Sequence, residues 1–305
     1  MSTMFAGLSA FPLTPADADG VVDTDTLGVM IERLAAAGVD SIGLLGSTGI
    51  YAYLDRDQRT RAVAAAVEAA GGRVPLIVGV GALRTRWSVE LAREAERAGA
   101  NGLLLAPMSY VAPTPAELVD HYRTVAGSTA LPLCLYNNPT TTHVVFSDAL
   151  IGELAGVPGI AAVKMPLPAD GNVAGELARL RALTPPVFSI GYSGDWGAAP
   201  SLLAGGDGWY SVVAGLLPDP ALRLTRAAQR GDAVATAALD HRFAPLWALF
   251  RTHGSLRLMY AIADRLGIPA GDPPLPLRRA DTDVVAAVEA ALDHLTAVQP
   301  DTLRQ

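Results

Sequence analysis

The 305-residue chain contains a single cysteine, Cys134, so no disulfide can form within it, and it reads as a protein of a reducing compartment, the cytoplasm. Cys134 lies in the apolar run Leu131-Pro132-Leu133-Cys134-Leu135 with no histidine nearby in sequence, which makes it buried filler and not a nucleophile. Charge is also scarce. Asp, Glu, Lys and Arg make up 17% of residues against 50% hydrophobic ones, which excludes a disordered chain. The net charge of −7 argues against nucleic acid or an anionic membrane as the main partner. No apolar run reaches the roughly 20 residues a membrane helix needs, and Met1-Ser2-Thr3-Met4 does not begin a basic leader. The five histidines, at 121, 143, 241, 253 and 294, form neither a two-histidine helical pair nor a cluster with carboxylates, so no metal is expected.

What is present is an alternation of short β-like runs and amphipathic helices. Strands are expected at 5–11, 41–45, 76–80, 102–106, 133–136, 160–163, 187–190 and 209–213. The clearest helices cover 25–37, 57–70, 85–98 and 115–126 and stop at Gly38, Gly71, Gly99 and Gly127, where a left-handed residue would end them. Eight strand–helix units fit an α/β (β/α)8 TIM barrel over residues 1–217 that carries the active site. A doubly wound sheet is the alternative, but Gly79-Val80-Gly81 continues as Ala82-Leu83-Arg84 and lacks the third glycine of a dinucleotide loop. From Pro218 the strand signal stops. Residues 218–305 read as a C-terminal helical extension packed on the barrel, with helices near 221–230, 232–251, 255–266 and 281–296.

Barrel active sites lie where strands end, and four polar groups fall there. Lys164 closes the apolar strand Gly159–Val163. An ammonium among small aliphatic groups loses hydration, which favours the neutral amine, and a neutral amine can attack a ketone to give a Schiff base. Gly46-Ser47-Thr48-Gly49 after the second strand offers hydroxyls and converging backbone N–H groups, suited to a carboxylate. Tyr136, before the turn Asn137-Asn138-Pro139, places a phenol at the rim that could relay protons. Pro107-Met108-Ser109-Tyr110 could bring a second tyrosine to the same mouth. Each element alone has a plain structural explanation: a snorkelling lysine, an ordinary turn, a buried strand tyrosine. His143 reads as a solvated loop residue. Gly191 to Asp195 reads as lying after the seventh strand, with Asp195 able to cap the next helix.

Gly46-Ser47-Thr48-Gly49, Tyr136-Asn137-x-Pro139 and Lys164 28 residues beyond the tyrosine together resemble the dihydrodipicolinate synthase / N-acetylneuraminate lyase family of class I aldolases. Phe11-Pro12-Leu13-Thr14-Pro15 and the segment 191–215 resemble it too, so the likeness spans the chain. The resemblance implies a lyase or aldolase without cofactor, in which Lys164 forms a Schiff base with pyruvate or another 2-oxo acid. It implies Tyr136 as the relay phenol, Ser47 as its hydroxyl partner and Tyr110 as a tyrosine lent by a neighbouring subunit. Thr48, with Gly46 and Gly49, would hold the 2-oxo acid carboxylate, and Gly194 and Tyr210 would line the pocket. The partners implied are a small 2-oxo acid, an aldehyde in some members, and further copies of the chain as a dimer of dimers. Two departures stand out. Ile50-Tyr51 replaces the family's glutamate after the second glycine, and Thr141 occupies the place of the arginine by which true dihydrodipicolinate synthases read the aldehyde's carboxylate. A threonine lacks the bidentate charged contact of a guanidinium. Synthesis of dihydrodipicolinate therefore stays an alternative to aldol cleavage, addition or dehydration of 2-keto-3-deoxy acids. A barrel that binds a keto acid without turnover is the alternative of another class.

Overall fold

A computed structural model describes residues 3–297; the start of the expected leader-free terminus and residues 298–305 of the expected helical extension lie outside it. Eight parallel strands, β1 (Gly7–Ala10), β2 (Ser41–Leu44), β3 (Leu76–Gly79), β4 (Gly102–Leu105), β5 (Leu133–Tyr136), β6 (Ile160–Met165), β7 (Ser189–Tyr192) and β8 (Gly208–Ser211), close in sequence order into a barrel. The (β/α)8 expectation is met: β1 pairs with both β2 and β8. The outer layer is α1 (Thr24–Ala37), α2 (Arg56–Ala70), α3 (Thr85–Ala98), α4 (Pro115–Ala126), the short α5 (Pro139–Thr142), α6 (Asp148–Ala155), α7 (Val173–Leu183), α8 (Ala198–Leu203) and α9 (Pro218–Gln229). Then come α10 (Ala233–His253), α11 (Ser255–Arg265) and α12 (Thr282–Thr296).

Local chemistry explains the boundaries. Asp23 and Asp55 cap α1 and α2 through their carboxylates, and Thr114 with Glu117 forms a capping box on α4. Gly38, Gly71 and Gly99 end their helices in the left-handed region, but Gly127 does not; its φ is −74°, and α4 ends in a right-handed turn. The seventh strand begins two residues later than expected. Pro185-Pro186 precede it, and Val187 is left in the turn, 68% exposed, so apolar character misplaced the start. As a result Gly191 and Tyr192 belong to β7 and not to the loop after it. β6 likewise runs on through Met165, so Lys164 sits inside the strand and does not close it.

The helices after α9 attach to the barrel through aromatic packing. Phe243 and Trp247 of α10 stack with centroids 4.5 Å apart, and Trp247 meets Trp209 of β8 edge-on at 6.5 Å. Trp247 is buried, and its indole N–H donates to Asp240. Truncating Trp247→Ala should lower unfolding free energy by about 3–5 kcal/mol. Denaturant melts would show it, and Trp247→Phe should cost distinctly less.

Candidate active site

Parallel pairing puts Tyr136 of β5 directly beside Lys164 of β6, and Lys164 directly beside Gly191 of β7. Lys164 is buried, and its Nζ lies 3.9 Å from the centroid of the Phe11 ring, 4.4 Å from that of Tyr136 and 5.7 Å from that of Tyr210. Aromatic faces attract a cation while keeping water away. Small residues make this enclosure possible. A Cβ at Gly43 or Gly46 would fall 2.2 Å or 2.7 Å from Phe11 atoms, and one at Gly191 would fall 2.6 Å from the Tyr210 ring. Three glycines thus vacate the space that two rings fill. Phe11 also meets Tyr210 edge-on, with centroids 6.1 Å apart.

The Tyr136 hydroxyl lies 2.9 Å from Ser47 Oγ and accepts a hydrogen bond from Asn138 Nδ2 at 3.0 Å. Burial raises the phenol's pKa, but the Lys164 charge and the hydrogen bonds from Ser47 and Asn138 outweigh it and hold the phenol below its ordinary value. A phenol drawn down by an adjacent ammonium is a natural acceptor for that ammonium's proton. Asn137 fixes the turn behind it: its backbone N–H donates to Lys164 O at 3.0 Å, and its side chain bonds Met165 Sδ and the Phe146 N–H.

The Ser47 loop is conformationally forced. Leu45 (φ 55°) and Ile50 (φ 49°) flank it in the left-handed region, which a β-branched residue rarely adopts. Gly49 leaves no room for a side chain, since a Cβ would sit 3.0 Å from Leu45 backbone atoms. The N–H groups of Ser47 and Thr48 make no hydrogen bond among the described residues. Thr48 is buried in the same loop.

Lys164, Tyr136, Ser47, Gly46 and Tyr210 therefore come together. Thr141, on α5, lies at the rim, where it borders one cavity of ≈ 370 Å³ with Ser47. Gly194 (φ 87°) packs instead against Leu167 and Trp196. Tyr110 does not join the cluster within this chain: it stands 97% exposed between β4 and α4, beside the exposed Val111. Asp195 does not cap the following helix. Its buried carboxylate accepts from Trp209 Nε1 (3.0 Å) and from the N–H groups of Val212 (3.1 Å) and Val213 (2.7 Å), bracing the end of β8 beneath Tyr210. The Tyr210 hydroxyl contacts Cys134 Sγ at 3.5 Å, and burial pushes that thiol up to about 12. No group of His, Cys, Asp and Glu suited to a metal occurs among the described residues.

Phe11 and Tyr51 are site residues that motif reading passed over as such. The clue to Phe11 was a glycine inside the second strand, Gly43, where a barrel interior wants bulk. A plainer signal concerns Lys164 itself. It is the only lysine in the chain; the other 22 of its 23 Lys and Arg residues are arginine.

The dihydrodipicolinate synthetase family model matches residues 4–295. A 4-hydroxy-tetrahydrodipicolinate synthase from Stenotrophomonas maltophilia is 34% identical over 290 residues, covering 95% of each chain. One from Pseudomonas aeruginosa is 34% identical over 272 residues, covering 88% of this chain and 91% of its own. The crystal structure of a dihydrodipicolinate synthase from Agrobacterium tumefaciens superposes with a TM-score of 0.95 at 55% identity, over 96% of this chain and 99% of that one.

In Ser47→Ala the phenolate loses a hydrogen-bond donor, so the Tyr136 pKa should rise above its wild-type value. Ultraviolet titration of the phenolate band, with Tyr136→Phe as the blank, checks the direction; an unchanged or lowered value would contradict the electrostatics drawn here.

Proposed function

We propose that this chain, which belongs to the dihydrodipicolinate synthetase family and is a lyase of the Schiff-base aldolase type, uses Lys164 as the amine that captures a 2-oxo acid, with pyruvate as the simplest case. The single observation that carries the reading is the buried Lys164 amine set among aromatic faces with its strand neighbour Tyr136 hydrogen-bonded to Ser47.

In this reading Tyr136 takes a proton from Lys164, and the freed amine attacks the ketone carbon. Tyr136 returns the proton to the resulting oxygen, making a hydroxyl, then moves a second proton from the nitrogen to that hydroxyl, which leaves as water, and an iminium remains. The iminium draws electrons from the adjacent carbon, so a C–C bond there can break or form, or a proton be lost, through an enamine. Ser47 steadies the phenol between its two states. The unpaired N–H groups of Ser47 and Thr48, with Gly46 and Gly49 allowing close approach, suit the acid's carboxylate. Tyr210 and Phe11 wall the pocket, and Gly194 shapes the loop beyond it.

Synthesis of 4-hydroxy-tetrahydrodipicolinate from pyruvate and aspartate semialdehyde is a second reading, favoured by the names of the relatives. Thr141, with no charge to offer a carboxylate, weighs against it. The exposed Tyr110–Val111 patch reads as the seat of a second copy, a dimer unit within a tetramer, with Tyr110 offered to the neighbour's relay. No helix among the described residues is long and apolar enough to cross a membrane, and the reduced, buried Cys134 fits a cytoplasmic enzyme.

Borohydride reduction in the presence of pyruvate should add one pyruvate-derived group per chain, and peptide mapping should place it on Lys164, the only side-chain amine. Lys164→Ala should take up none; equal labelling of that variant would sink the assignment. Tyr136→Phe should still fold yet lose about 10²–10⁴-fold in turnover.

A further inference from the structure

Ser47, whose hydroxyl reaches that of Tyr136, also borders the rim cavity that Thr141 lines. Twelve residues border it, contributed by the loops after β2, β3 and β4, by α5 with His143, and by Leu256 of α11, and none is Lys, Arg, Asp or Glu. Its walls are mainly apolar, with Ile50, Leu83, Met108 and Leu256 facing the aromatic residues Tyr51 and Tyr53. Most of its small hydroxyls are already committed to backbone. Thr141 and Thr142 donate to Asn138 O at 3.3 Å and 3.0 Å, and Ser109 donates to Val111 O.

Three polar side-chain groups remain free to meet a guest, the hydroxyl of the half-exposed Tyr53 and two others. The Tyr51 hydroxyl makes no hydrogen bond among the described residues, and burial pushes its pKa well up, so it stays a neutral phenol. The His143 side chain, in a left-handed residue at the end of α5, likewise makes none. The cation nearest Tyr51 is turned elsewhere: Arg59 is buried behind that ring, 5.4 Å from its centroid, and donates to Gly79 O at 2.8 Å and Gly81 O at 3.0 Å. A carboxylate entering this space would shed water and meet no opposite charge, an unfavourable exchange.

We propose that the carbonyl partner handled above Lys164 is an uncharged aldehyde, with a mainly apolar body and a hydroxyl placed for Tyr51 and His143, and that Thr141 and Tyr51 set this preference. The aldehyde is added to the enamine in one direction and released from the aldol in the other. The inference rests on the Schiff-base reading and extends it to the second substrate.

The test compares matched aldehydes with pyruvate on the intact enzyme: butanal against succinic semialdehyde, benzaldehyde against 2-carboxybenzaldehyde, and glyceraldehyde against aspartate semialdehyde. The uncharged member of each pair should have the higher kcat/KM by about tenfold or more. Thr141→Arg, a long cation placed on the exposed rim, should shift that ratio toward the carboxylates by at least about tenfold. Tyr51→Phe should raise KM for glyceraldehyde while leaving butanal nearly unchanged, a split that a merely structural phenol would not give. Equal or better use of the carboxylated aldehydes by the wild type, or an unmoved ratio in Thr141→Arg, would overturn the proposal. Pyruvate-dependent borohydride labelling of each variant, run without aldehyde, reports folding and Schiff-base formation separately. Labelling without turnover of any uncharged aldehyde sinks this inference alone, whereas no labelling in the wild type sinks the reading beneath it.

Discussion

The mouth of the barrel depends on one amine enclosed by aromatic rings inside a closed sheet. Strand register supplies the first half of that arrangement, because adjacent parallel strands place Tyr136 and Lys164 side by side, so the phenol and the amine share one electrostatic environment. Missing side chains supply the second half. Gly43, Gly46 and Gly191 leave the volume in which Phe11 and Tyr210 lie, and any larger residue there would collide with one of those rings. The ring faces attract a cation beside them, and the Lys164 charge helps hold the Tyr136 phenol below its ordinary pKa.

Holding the partner hydroxyl costs backbone strain. Leu45 and Ile50 lie in the left-handed region, an expense of order 1–3 kcal/mol each that only a well-determined surround can sustain. The surround here is the buried core of β1 to β3, where Phe11, Ile42, Leu44 and Val78 are almost fully enclosed. Asp195 plays a similar role on the far side. It satisfies three donors at the end of β8 with one buried carboxylate, so the segment carrying Tyr210 is tied down without covering the mouth.

Much of this was legible in the chain. Alternation of apolar runs with capped helices announced the barrel, because both signals are local. The Lys164, Tyr136 and Ser47 cluster was legible only jointly, through spacing that resembles a known family. What escaped notice was set by distant packing. The start of β7 could not be read from Val187, whose apolar character points outward here. Gly127 has the residue type of a left-handed cap but a different dihedral, decided by the turn that follows. The carboxylate of Asp195 had a plausible local use as a cap, and its real partners lie 14 to 18 residues away, on the next strand and just past its end. Tyr51 passed as a mere replacement in a loop because nothing local shows that the strained Ile50 turns its ring inward over Arg59.

The near-total preference for arginine has a consequence outside the barrel. Guanidinium groups do not condense with carbonyl compounds as amines do, and they keep their charge at every physiological pH. The surface thereby offers carbonyl compounds no lysine amine to condense with. Among side chains, only the enclosed Lys164 amine is left for such condensation.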